Sequence, residues 1–135
     1  MKIIKIRFAD NRIYGTTDDG RELWQSLLYY KRLYNATPKQ RENYKINAFG
    51  IRWDELDEDI SFESFEYDNQ EPTELSSFFL THDEINVSAV ARIMGINQSL
   101  LAQYIKGIKN PSEVRKKEIL RTIHSIGKDL QNAHF

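Results

Sequence analysis

Between residues 86 and 107 two amphipathic stretches are separated by only Gly95-Ile96-Asn97. Val87, Val90, Ala91 and Met94 fall at i, i+3, i+4 and i+7, the stripe of a two-turn helix, with Asn86 as its N-cap and Gly95 as its stop. Asn97 caps a second helix whose apolar residues are Leu100, Leu101, Tyr104 and Ile105, and Gly107 ends it. A connection this short forces a tight turn, and the small Ala91 sits where the two helices cross. The outward residues of the second helix are then Gln98, Ser99, Ala102, Gln103 and Lys106.

The run from Val87 through Gly107 resembles the lambda-repressor-like DNA-binding family. The following Ile108-Lys109-Asn110-Pro111-Ser112 is similar to that family's usual exit, where a glycine, basic residues and Pro-Ser lead into the next helix. In such a fold the outward face of the second helix meets the major groove. Glutamine pairs bidentately with adenine there, and the alanine methyl touches a thymine methyl. The resemblance therefore implies Asn97, Gln98, Ser99, Ala102, Gln103, Lys106, Lys109 and Asn110 as DNA contacts, with Lys116 and Lys117 nearby to neutralise phosphates. Arginine, whose pairing with guanine is the commonest specific contact, is missing from this helix. The bland alternative is a solvated polar helix face, or one that has become a protein-docking surface.

Pro111-Ser112 opens a third helix, expected to bury Ile119, Leu120, Ile123 and Ile126 and to stop at Gly127. Residues 73–81, with Leu75, Phe78 and Phe79, supply a packing helix in front. Net charge is −1, but it is unevenly distributed: residues 1–83 carry 11 basic and 16 acidic side chains, residues 84–135 carry 8 and 4. Such asymmetry points to a charged partner for one half.

The front of the chain reads as strands. Ile4, Ile6 and Phe8 alternate with Lys5 and Arg7, the pattern of a half-buried strand. Asp10-Asn11 turns the chain, residues 12–17 return antiparallel, and Asp18-Asp19-Gly20 turns it again into residues 21–24. Residues 26–34 suggest a short helix. Thr37-Pro38-Lys39-Gln40 carries a capping box with proline at the first helical position. Residues 44–53 are aromatic and β-prone, and residues 60–65 read as a further strand. Polar, proline-containing residues 68–73 mark a boundary, giving a β-rich domain over 1–70 and a helical domain over 71–135.

With Asp19-Gly20-Arg21-Glu22-Leu23 upstream, the stretch from Tyr30 to Ile46 and on from Phe49 to Ser61 resembles a bacterial domain family known only as domain of unknown function 2442. This looks like the version fused to a repressor-like helix-turn-helix. The resemblance implies an antitoxin or autoregulator, with a toxin or other protein as partner of the N-terminal domain, and it carries over no catalytic residue.

The absence of cysteine removes disulfides, thiolate zinc sites and thiol nucleophiles. Asp54, Glu55, Asp57, Glu58 and Asp59 raise a metal reading, but their spacing fits no calcium loop and a solvated acidic loop explains them better. His82, His124 and His134 show no ligand spacing, and no nucleophile with a partner base stands out. No apolar run reaches a membrane span and no secretory signal is visible, so a cytoplasmic location is expected. The expectation is an α+β chain that is not an enzyme, needs no cofactor, and binds duplex DNA through residues 86–117 as a homodimer and transcription regulator. The alternative is a protein-interaction module using the helix pair as a scaffold.

Overall fold

In the computed structural model residues 1–67 and 71–135 are described; Asp68, Asn69 and Gln70 of the expected boundary lie outside them. The chain is mixed α+β and its contacts divide into two compact units, Met1–Glu71 and Pro72–Phe135.

The first unit opens with an antiparallel meander, β1 (Ile3–Ala9), β2 (Arg12–Thr17) and β3 (Glu22–Ser26), in the order β1-β2-β3. Asp10 and Asn11 adopt φ of 53° and 58°, the left-handed pair that a two-residue hairpin turn between twisted strands requires. The second turn is closed by Thr17, whose Oγ1 accepts from the Arg21 amide at 2.9 Å, with Gly20 at φ 87°. The expected alternation of β1 is corrected at its start. A register irregularity between Ile3 and Lys5 lets Ile3 and Ile6 both face the core and leaves Ile4 61% exposed. An extra residue in one strand shifts the period-2 pattern by one place, so Ile4 loses the inward position.

A 3-10 turn (Leu27–Tyr29) and α1 (Lys31–Tyr34) replace the single helix expected over residues 26–34, the chain breaking at Tyr30. Then α2 (Pro38–Glu42) starts with both halves of its capping box: the Gln40 amide donates to Thr37 Oγ1 at 3.1 Å and the Thr37 amide to Gln40 Oε1 at 2.9 Å. A second antiparallel sheet, β4 (Lys45–Ile46), β5 (Gly50–Trp53) and β6 (Glu58–Ser61), precedes α3 (Ser64–Tyr67). The strand expected over residues 60–65 is thus corrected. Pairing ends at Ser61, whose carbonyl accepts from Ser64 Oγ at 2.7 Å and whose Oγ accepts from the Ser64 amide at 3.2 Å, favouring a helical turn over further extension.

Both sheets share one core, containing Ile3, Ile13, Leu27, Leu33, Ile51, Trp53, Ile60 and Phe65. Buried polar groups are paired: Gln25 accepts from the Tyr30 hydroxyl and donates to Ser64 Oγ at 2.8 Å, and Trp53 Nε1 donates to the Arg41 carbonyl at 2.9 Å. Left unpaired, such groups would cost about 1–3 kcal/mol each.

The second unit is helical: α4 (Glu74–Thr81), α5 (Val87–Met94), α6 (Gln98–Lys106) and α7 (Glu113–Gln131). Its core joins Phe79, Val90, Ala91, Leu101, Tyr104, Ile105 and Ile119. α6 packs on α4 and α5, and α7 on α5. Two expectations for α7 are corrected. It runs through Gly127 to Gln131, because one helical glycine costs only about 1 kcal/mol and Lys128 to Gln131 include good helix formers. Leu120 is 54% exposed and does not join Ile119 in the core. Among the described residues no helix is long and apolar enough to cross a membrane.

Candidate nucleic-acid interface

The turn between α5 and α6 is built by backbone chemistry. Asn86 caps α5, its side-chain oxygen accepting from the Ala89 amide at 3.1 Å. At the other end Gly95 takes φ 73°, which lets the Gly95 amide reach the Arg92 carbonyl at 3.2 Å and the Ile96 amide reach that of Ala91 at 3.0 Å. These two bonds satisfy carbonyls that the helix end would otherwise leave open. α6 ends in the same way: Gly107 sits at φ 77° and the Ile108 amide donates to the Gln103 carbonyl at 3.0 Å.

Packing fixes how α6 is rotated. Leu101, Tyr104 and Ile105 are buried, Val90 and Ala91 meet them from α5, and Ser76 of α4 donates to the Tyr104 carbonyl at 3.4 Å. Ser76 is wholly buried and was not legible as a tie, because nothing in a serine's sequence context distinguishes a cap neighbour from an interhelix donor. A larger residue than alanine at position 91 would overpack this contact, typically at about 1–3 kcal/mol.

The opposite face of α6 carries the sequence-predicted residues together. Gln98, Ser99 and Lys106 are exposed, Ala102 and Gln103 are half-buried at its edges, and Lys109 and Asn110 are exposed in the turn that follows. Asn97 occupies the N-cap position with an extended backbone, yet its side chain makes no capping bond, unlike Asn86. Among the described residues Gln98, Gln103, Lys106 and Lys109 have no side-chain hydrogen bond or ion pair, so their polar ends face solvent unsatisfied by the protein. Of the flanking lysines, Lys116 pairs with Glu113 at 3.2 Å while Lys117 has no carboxylate partner among the described residues. Arg92 on α5 is also exposed and unpaired among them; the reading of the sequence passed over it because it lies outside the second helix.

The first unit distributes its charge differently. Arg52 binds three carboxylates at once, Asp54 at 3.1 Å, Asp57 at 2.9 Å and Asp59 at 2.7 Å, and Lys45 adds a contact to Asp54 at 3.0 Å. The Asp57 carboxyl is held below its ordinary range chiefly by its hydrogen bond to Arg52, and that of Asp54 by bonds to Lys45 and then Arg52. The acidic run is therefore wrapped around a guanidinium, and among the described residues no group of three or more metal-ligating side chains is gathered. Of the histidines, His82 stacks on Phe78 with its Nδ1 at 2.7 Å from the Phe78 carbonyl, and His124 and His134 are exposed.

Residues 3–71 match the family model described as "Protein of unknown function (DUF2442)". The chain belongs to this family. The DUF2442 match coincides with the paired-charge unit and ends where the helical unit begins. No curated protein matches the chain. Among solved structures it is similar to the crystal structure of "Putative DNA Binding Protein NE0471" from Nitrosomonas europaea, at 13% identity and a TM-score of 0.38, over 88% of this chain and 84% of that one.

Proposed function

We propose that the second unit binds duplex DNA as a helix-turn-helix regulator of the repressor-like kind, with α6 entering the major groove and two copies of the chain on adjacent half-sites. The observation that carries this reading is the outward face of α6. Gln98, Ser99, Ala102, Gln103 and Lys106 stand together on a helix whose rotation is fixed by buried Leu101 and Tyr104, and the amide and ammonium ends are unused by the protein. Unused amide ends on a fixed helix suit base edges, and free lysines suit phosphates. The reading assigns no catalysis to the chain. Through its DUF2442 part it includes a protein or toxin partner and autoregulation.

Fluorescence anisotropy on a selected duplex and on random duplexes across a salt series tests it. Lys106→Ala removes one phosphate contact, so it should weaken binding to all sequences alike and lower the log-log salt slope by about one. Gln98→Ala or Gln103→Ala should cost about 1–3 kcal/mol on the selected site and leave the slope unchanged. Binding unaffected by all three, or no binding at low salt, overturns the reading. One helix pair covers few base pairs, so sedimentation should show two copies per site about one helical turn apart.

A cleft of about 560 Å³ favours a second reading, a protein-interaction module. It lies between α4 and α7, lined by Leu75, Phe78, Phe79, Tyr104, Ile119 and Leu120 among others. On that reading no salt-dependent DNA binding is found.

A further inference from the structure

α7 carries a second set of basic residues, on a different helix from the α6 face. Lys117, Arg121, His124 and Lys128 fall at i, i+4, i+7 and i+11, which places them on one side of the helix over about 16 Å of its length. All four are exposed, while Ile119, Ile123 and Ile126 turn the other way into or against the core. Among the described residues neither Lys117, Arg121 nor Lys128 has a carboxylate partner; Arg121 Nε reaches only the Lys117 carbonyl, at 3.4 Å.

The contrast within the chain gives this weight. Among the described residues of the first unit, Arg7, Arg12, Arg21, Arg32 and Arg52 are each neutralised by at least one carboxylate, and Arg41 is taken up by the Leu33 and Tyr34 carbonyls; Lys2, Lys5 and Lys39 are exposed without a carboxylate partner, but they are spread over the start of β1 and α2 and form no stripe. On the outward side of α7 that neutralisation is missing from three cations in succession. Like charges on one helix face repel and destabilise the helix slightly, a cost that a bound polyanion removes.

We infer that Lys117, Arg121 and Lys128 form a second, sequence-independent contact to a nucleic-acid phosphate backbone, apart from the base-reading face of α6. Lysine is depleted from the cores of protein interfaces and is a standard phosphate ligand, and the stripe itself contains no aromatic or aliphatic anchor. Along the same side the exposed apolar side chains are Val114 and Leu120, three residues before and after Lys117, a shorter apolar face than the one a lipid-bound helix buries. The rises of about 6 Å from Lys117 to Arg121 and about 10.5 Å from Arg121 to Lys128 are within reach of long side chains that follow the phosphates of one strand. The inference rests on the proposed DNA reading only in taking a duplex as the common ligand.

The test uses the full chain and the variant Lys117→Ala/Arg121→Ala/Lys128→Ala. All three positions are exposed and alanine is the best helix former, so α7 is preserved. Binding to a random duplex is measured by anisotropy across a salt series, beside binding to phosphatidylglycerol vesicles. The expected result is a log-log salt slope lower by about 2–3, with the preference for a selected over a random duplex unchanged. DNA binding that persists with the wild-type slope overturns the inference. Vesicle binding stronger than duplex binding, lost in the variant while the DNA slope stays fixed, also overturns it. The two proposals fail separately. Should Gln98→Ala, Gln103→Ala and Lys106→Ala change nothing while the α7 variant flattens the slope, the α6 reading falls and this inference stands; a wild type that binds no duplex at low salt ends both.

Discussion

At position 50 there is no room for a side chain. A Cβ there would sit 2.4 Å from the Ile60 carbonyl oxygen and 2.9 Å from Ser61 Cα, both backbone atoms of the paired strand β6. Gly50→Ala is expected to destabilise the first unit by at least the usual overpacking cost of about 1–3 kcal/mol. Gly127 is the reverse case, a helical glycine with nothing within 4 Å of where its Cβ would be. Gly127→Ala is expected to stabilise α7 by about 0.5–1 kcal/mol. Urea unfolding checks both, with tryptophan fluorescence reporting on the first unit, where Trp24 and Trp53 lie, and far-UV circular dichroism on the helices. Opposite signs are expected, and equal signs would mean that the local geometry is not what decides. Single residues were also where sequence reading went astray. Ile4 fitted the alternation of β1 and is exposed, because a register irregularity is invisible to periodicity. Asn97 and Asn86 look alike as caps, yet only Asn86 bonds its helix, since the outcome depends on side-chain rotation rather than on residue type.

Among the elements, those that announce themselves locally were legible and those decided by partners were not. The start of α2 was legible because a capping box closes within four residues. Both glycine stops beside α6 were legible because the left-handed conformation is a local demand. The end of α7 was misjudged because a glycine in open solvent is a weak penalty rather than a stop, and the expected strand over residues 60–65 turned helical after Ser61. The second sheet rests on a contact that sequence did not reveal, the grip of Arg52 on Asp54, Asp57 and Asp59 across β5, β6 and their connection. Asp54 and Asp57 have carboxyls held below their ordinary value of 3.8, so the stability they lend is present above that pH and is lost as pH falls through their lowered folded values. Arg52→Gln removes the cause. The stability gap between wild type and Arg52→Gln, followed by tryptophan fluorescence in urea, is therefore expected to be open near neutrality and to close below about pH 4. A gap that stays constant into acid would show that Arg52 acts through packing rather than charge.

For the whole molecule, charge is what survives from sequence to structure with least loss, because it needs no register or rotation to be counted. Residues 1–71 carry 11 basic and 14 acidic side chains, and residues 72–135 carry 8 and 6. The first unit spends its arginines, Arg41 apart, on its own carboxylates, whereas the second leaves Arg92, Lys106, Lys109, Lys117, Arg121 and Lys128 without carboxylate partners among the described residues. The cores divide in the same place, one gathering side chains from both sheets and the other from the four helices, with Glu71 and Pro72 at the division. A separate core is the physical requirement for independent folding. Residues 1–71 and 72–135, expressed apart, are thus expected to give dispersed amide NMR spectra each. DNA affinity should follow the second fragment alone, because the net negative first fragment repels phosphate. An unfolded fragment beside a folded whole would show that the two cores depend on each other. DNA binding by residues 1–71 would move the interface to the sheets and away from α6.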